Sequence, residues 1–552
     1  SGAVDIAGII GGSTAVGDIA INASAGTGTI DLDDIGDGDP AAGISGTLTV
    51  GNTNTSEVEF DGTNYDISGA ILIKSASGEK IKFTDTSGTA IDFRTTGAGS
   101  TIGFNTGTIK ISDRTAALEI TSNNGNITIA AIEGSHDEDI TINAGSGSLA
   151  VGAIGVTEVE GINTVALTSS TGITLSGGIT TSNATGNNVT LTGPVIISGS
   201  VDIDTDTAGT DGTIGFSSTI IGNSGTDNLT IDSGGSGITF GGTIGVTTPL
   251  TSLNINQDGG AVALTIPQIG TAGGAAGVSG ATNIGTTSTA TVDMSAASYK
   301  FGGTTAIKAG TASTGTTFSA ADTAVDLSNA NITITNAVVI ADGTLDINSA
   351  GGDISITGAI SSAGTDEALI LDDGTGTSGS ITLGSTVSSG SITLIGDSGI
   401  SLANNLISTN TADGAISLTG PVTLAGDITI DADANNTSVT FNSTATVNSD
   451  GTPRDLTINT GAGAIAMQGV IGGSAELDVI SINSATTGAG TIEITNTQAD
   501  GAVSIGNSNT ATLTLDGTAY TTTGTNSAQT YTADDYNLTG ADITFTTAAG
   551  VV

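Results

Sequence analysis

Among 552 residues there is no cysteine and no tryptophan, and only six prolines, five tyrosines and one histidine occur. Without cysteine there is no disulfide framework, and zinc centres of the usual His/Cys kind cannot be assembled. A Ser-His-Asp arrangement would have to rest on His136, in the polar stretch GSHDED, which reads as a solvated loop. Basic residues are scarce too: nine Lys and Arg stand against 54 Asp and Glu, a formal net charge of −45. That sign excludes nucleic acid as a partner through its phosphates and disfavours an anionic membrane surface. No apolar run approaches the ~18 residues of a membrane-spanning helix, so no membrane insertion is expected in this segment. The opening SGAVDIAGII has neither an initiator Met nor a charged leader, so the chain reads as mature or excerpted.

What is abundant is small or β-branched. Glycine accounts for 85 residues, and the 37% apolar share is mostly Ile, Val, Leu and Ala. Those apolar residues are patterned, which argues against the disorder common in Gly- and Ser-rich chains. Segments such as VDID (201–204), ITIT (332–335), ISLT (416–419) and ITFT (543–546) alternate apolar with polar, the period of half-buried strands. Clusters of Gly, Asn, Asp and Ser separate them, and from 118 to 255 a new apolar segment starts roughly every ten residues. Sandwich domains would repeat at about 100 residues with an aromatic in each core, and propeller blades at ~40–50. A β-solenoid fits: short strands stacked coil on coil, Ile, Val and Leu inward, Thr, Ser, Asn and Asp outward, small residues at corners.

The chain also repeats on a larger scale. LTGPVIISGSVDIDT (191–205) returns as LTGPVTLAGDITIDA (418–432). A shift of 234 carries Tyr65 onto Tyr299, Ile73-Lys74 onto Ile307-Lys308, and TAIDF (89–93) onto TAVDL (323–327). A shift of 227 carries LEITSNNGNITI (118–129) onto LDINSAGGDISI (345–356); later shifts of 221 and 211 carry Tyr299 onto Tyr520 and NITIT (331–335) onto DITFT (542–546). The expected organisation is one continuous all-β solenoid rod of tandem modules of about 220–235 residues. Residues 1–65 are the end part of a first module, 66–299 a complete second, 300–520 a complete third, and 521–552 the start of a fourth. Modules cut at both ends suggest a window on a longer repetitive protein, or a subunit that stacks on its neighbours.

Phrases such as GPVTLAGDITIDA (420–432), GITFGGTIGVTTPLTSLNI (237–255) and GTIEITNTQADGAVSIG (490–506) resemble the filamentous-haemagglutinin-like β-strand-repeat exoproteins, large surface adhesins of Gram-negative bacteria. The resemblance lies in composition and phrase and covers most of the chain. It implies a right-handed parallel β-helix, export to the cell surface, and work as an adhesive or structural fibre of a surface or biofilm matrix. Partners would be the protein itself, end to end or side by side, and surface glycans. The family's secretion domain has no counterpart in these residues.

Enzyme chemistry is not expected. Polysaccharide-cleaving β-helices pair carboxylates with basic residues, and residues 115–299 contain no Lys or Arg. A glycan-binding or glycan-cleaving β-helix is the alternative; Tyr531 and Tyr536 are the only close tyrosine pair available for stacking. Calcium is the one cofactor the residues suggest. Asp202, Asp204 and Asp206 in VDIDTD alternate toward one face, and Asp431 and Asp433 repeat two of the three. A second cluster holds Asp33, Asp34, Asp37 and Asp39. Neither matches an EF-hand loop or a calcium-binding nonapeptide array, and a hydrated acidic surface is the plainer reading. Six of the nine basic residues (Lys74, Lys80, Lys82, Arg94, Lys110 and Arg114) form a band that either receives an acidic partner or balances Glu79, Asp85, Asp92 and Asp113. Outward Thr pairs such as Thr333 and Thr335 resemble ice-binding arrays but are irregularly spaced.

Overall fold

In the computed structural model the alternating segments become strands, and no helix occurs among the described residues. Those are residues 2–39, 41–84, 87–111, 117–135, 137–155, 161–181, 186–206, 211–310, 315–364, 366–374, 378–409, 414–434, 436–485 and 488–552. Their contacts form two compact units: residues 1–267 with 277–279 and 284–289, and residues 268–276 with 280–283 and 290–552. Each is a parallel β-solenoid, and together they hold about 21 turns.

The second unit shows how sequence makes a coil. In strand Ile354–Ile356 the two isoleucines are buried and Ser355 faces out. Ile354 lies in register with Ile332 before it and Ile381 after it, and the column continues through Ile400, Val422 and Val447. Steps along that column are 22, 27, 19, 22 and 25 residues, so coils vary in length while the inward column stays unbroken. Corners absorb the difference, where chain length changes at little cost. Each fully buried Ile, Val or Leu contributes roughly 1.5–3 kcal/mol, and the backbone ladder ties each strand to the next coil.

The modular register seen in the sequence recurs in the corners. Asn22, Asn256 and Asn483, spaced by 234 and 227, all adopt the left-handed conformation, with φ of 50°, 51° and 49°. Gly51, Gly285 and Gly506 do so as well, at 72°, 67° and 76°. A Cβ on Gly51 would meet the Lys74 carbonyl oxygen at 2.1 Å, and one on Gly506 the Thr532 carbonyl oxygen at 2.1 Å. Side chains close the same corners. Thr55 Oγ1 accepts the Asn52 N–H at 2.9 Å, Thr289 that of Thr286 at 2.8 Å, and Thr510 that of Asn507 at 2.9 Å. The aligned tyrosines repeat a second closure: Tyr65 Oη accepts the Gly62 N–H, Tyr299 that of Ala296, and Tyr520 that of Gly517.

Aromatic residues are few, and most lie inside. Phe60, Tyr65, Phe83, Phe93 and Phe104 form one buried stack in the first unit, with ring centroids 5.1 Å apart for Phe60–Phe83 and 5.2 Å for Phe93–Phe104. The corner beside this stack straightens into longer strands, Ile71–Phe83, Ile102–Ile111 and Ile127–Glu133.

Tyr65→Phe removes a hydroxyl that accepts from Gly62 and donates to the Leu32 carbonyl at 3.2 Å. The buried Gly62 N–H loses its acceptor, while the Leu32 carbonyl keeps the Asp61 N–H at 3.1 Å, so stability in urea should fall by about 1–3 kcal/mol. An unchanged denaturation midpoint would show that the closure does not matter.

Candidate functional site

Asp202 and Asp204 both point outward from strand Ser200–Asp204, as their alternation predicts. Asp206 lies beyond the strand end, where its N–H donates to Asp204 Oδ1 at 3.0 Å. Asp433 does the same to Asp431 Oδ1 at 3.1 Å. The repeated Asp-x-Asp is therefore a side-chain-closed turn at the end of a strand. Neighbouring coils bring further carboxylates up. Asp204 is in register with Asp232, which is buried and accepts the N–H groups of Gly234 at 3.1 Å and Asp258 at 2.7 Å. Desolvation pushes the Asp206 carboxyl up to about 6, helped by the adjoining Asp204 and by Asp258 and Asp211. Asp202 is raised by desolvation, then by Asp258, Asp232 and Asp206; Asp433 is raised by desolvation and by Asp431. Among the described residues no three or more His, Asp or Glu side chains converge where a metal ion could be held. The structure thus joins Asp204 with Asp206 and Asp431 with Asp433 in acidic turns, and leaves Asp202 on the strand before the first of them.

The second acidic cluster is also engaged with backbone. Asp33 Oδ2 accepts the Gly8 N–H at 2.9 Å, and Asp34 Oδ1 accepts those of Thr63 and Asn64 at 2.7 and 2.9 Å. Asp37 accepts from Asp39, and Asp39 from Ala41. These bonds show a role that residue counting misses: Asn and Asp at one coil's corner bracket the backbone of the next. Asn124 reaches Ser146 at 3.0 Å, Asp322 reaches Thr344 at 2.9 Å, Asn331 reaches Asp353 at 2.8 Å, and Asn436 reaches Ala462 at 2.7 Å. The available signal was the recurrence of Asn or Asp at corners one coil apart.

The basic band is compensated across coils. Lys82 Nζ meets Glu57 at 2.7 Å, and Arg94 meets Asp66 at 2.5 Å and Asp92 at 2.7 Å. Lys82 and Lys110 stand in register, with Glu59 before them and Glu133 after. Of the expected counter-charges only Asp92 is thereby identified; Glu57 and Asp66 come from the preceding coil. His136, Asp85, Asp113 and Arg114 lie outside the described residues, as does the side chain of Glu79.

Tyr531 and Tyr536 do not form a platform: the Tyr531 ring packs on Tyr520 and Phe545, while Tyr536 Oη donates to the Tyr531 carbonyl at 2.9 Å. An open recess of about 670 Å³ crosses five coils of the first unit between Asn124 and Ser218, and neither aromatic rings nor carboxylates line it. Thr333 belongs to a single outward column with Ser355, Thr382, Ser401 and Thr423. No family model matches the chain, and no curated protein or solved structure does either.

A turn role and a metal role make different demands of Asp431. Asp431→Asn keeps an oxygen for the Asp433 N–H and removes a neighbouring charge, so stability should hold or rise; Asp431→Ala should lose about 0.5–1 kcal/mol. Urea titrations with and without calcium check this. A calcium-dependent gain in the parent chain, abolished equally in both variants, would instead mark a metal ligand.

Proposed function

We propose that this chain is a structural and adhesive fibre protein, exported to the cell surface or biofilm matrix of a Gram-negative bacterium. One observation carries the reading: among the described residues, many side chains that could do chemistry are occupied in holding coil to coil. Carboxylates close turns and bracket backbone, cations pair with carboxylates of adjacent coils, and the aligned tyrosines fill corners. A polymer of coils needs such bonds at every level, whereas an active site needs a few groups left over. The compositional resemblance to filamentous-haemagglutinin-like exoproteins supports the same reading.

The partner this reading favours is the protein itself. Parallel strands of one pattern stack coil on coil in both units, and a second copy of the chain offers the same pattern for end-to-end or side-by-side contact. Charge opposes that contact: a net −45 repels at low ionic strength, so association should strengthen with salt.

Sedimentation velocity across salt concentration, with electron microscopy of the same samples, tests the proposal. Assemblies that grow end to end or side by side as salt rises are expected. A monomer at every salt and protein concentration would overturn the self-associating fibre. Release of saccharide products from acidic polysaccharides would replace it with the glycan-cleaving alternative.

A further inference from the structure

Charge lies on one side of the coils between Ile140 and Phe240, within the first unit. Three outward columns run along these coils. The first passes through Thr141, Ala166, Thr190 and Gly215 and, two residues on, through Asn143, Thr168 and Thr192. The second passes through Ala150, Thr174, Ile196 and Ile221. The third pairs Asp202 with Thr230 and Asp204 with Asp232. The acidic residues described in this span are Asp202, Asp204, Asp206, Asp211, Asp227 and Asp232, and each belongs to the third column or to the corners at its two ends. Glu158 and Glu160 lie outside the described residues. The strands of the first two columns carry no charged side chain in this span.

The two neutral columns adjoin across short corners such as Gly193-Pro194, and the open recess follows that junction past Ser146, Ser170, Pro194 and Ser218. Hydroxyls along it are uncommitted: those of Thr168, Ser170 and Thr192 bond no other described residue. Beside it Ile196 and Ile221 face outward in register. Strand Val189–Thr192 has four residues and Val195–Ile197 three, so the two columns together are about 23 Å across. Strands of the first column stack from Ile140–Asn143 to Ile238–Phe240, about 24 Å with one coil spacing for each. The neutral side therefore offers on the order of 600 Å² per copy, near the lower bound for a standard protein–protein interface.

We propose, resting on the self-associating reading above, that a second copy of the chain lies alongside this neutral side, each copy turning its acidic column away from the other. A net charge of −45 opposes the approach of two copies, and like charges brought face to face across a contact are costly. Contact through the first two columns leaves the acidic column of each copy outside the junction, where water and salt screen it. A two-fold arrangement brings the same patch of both copies together, with the outward Ile196 and Ile221 and the uncommitted hydroxyls supplying apolar and polar contact. Other partners fit less well. An anionic one would meet no cation, since residues 115–299 contain no Lys or Arg, and a cationic one would take the acidic column instead.

Equal charge added in two places tests this. Ser170→Asp with Thr192→Asp puts two carboxylates into the recess, whereas Ser200→Asp with Thr226→Asp puts two beside the acidic column. All four positions are exposed, so both variants should fold, which far-UV circular dichroism checks. In sedimentation velocity of the full chain at physiological salt, the recess variant should need about tenfold or more protein than the parent to associate. The other variant should stay within about twofold of the parent. A recess variant that associates like the parent would overturn the proposal, as would equal weakening in both variants. Retardation of the parent, but not of the recess variant, in gels cast with dextran would assign the recess to a neutral glycan and overturn it too. A parent that stays monomeric at every salt concentration would overturn the fibre reading itself, and this contact with it.

Discussion

Everything in this fold depends on the parallel backbone ladder that joins each coil to the next. A three-residue strand such as Ile400–Leu402 has no stability of its own; it exists because Ile381–Leu383 and Val422–Leu424 lie on either side in register. Inward columns of Ile, Val and Leu follow from that stacking, since a side chain facing in on one coil must meet a similar one on the next. So does the demand on corners, which must return the chain to the same register although coil length varies from 19 to 27 residues in one column. Left-handed Asn and Gly and a side-chain oxygen closing a short turn meet that demand repeatedly.

The ladder also explains where charge sits. Many acidic side chains are at strand ends and corners, where their oxygens satisfy turn amides or the backbone of the adjoining coil. Net charge is thus partly a by-product of corner construction, since Asn performs the same bracket without charge at positions 124, 331 and 436. Where carboxylates fall mid-strand and in register, as at Asp5, Asp31 and Glu59, stacking turns from support into repulsion.

Periodicity made the strands and the solenoid legible, because inside and outside alternate within a few residues and need no tertiary information. The shifts of 234, 227 and 221 were legible too: Tyr65, Tyr299 and Tyr520 align in the sequence and close equivalent corners. What faces what across coils was not legible. Lys82 pairs with Glu57 and Arg94 with Asp66, each one coil back, and a coil of variable length hides such partners from linear reading. Nor was the strand end legible: Asp202, Asp204 and Asp206 alternate in the sequence, but the turn after Asp204 takes Asp206 out of the strand.

The absence of cysteine makes the in-register stack directly measurable, because introduced cysteines will be the only labelling sites. Thr333, Ser355, Thr382, Ser401, Thr423 and Asn448 form one outward column in the second unit. Spin labels on Thr333→Cys paired with Thr423→Cys or Asn448→Cys, read by pulsed dipolar spectroscopy, should lie about 19 and about 24 Å apart, one coil spacing separating the two distances. Distances that do not grow by that step, or broad distributions without a maximum near either value, would contradict a stacked parallel solenoid.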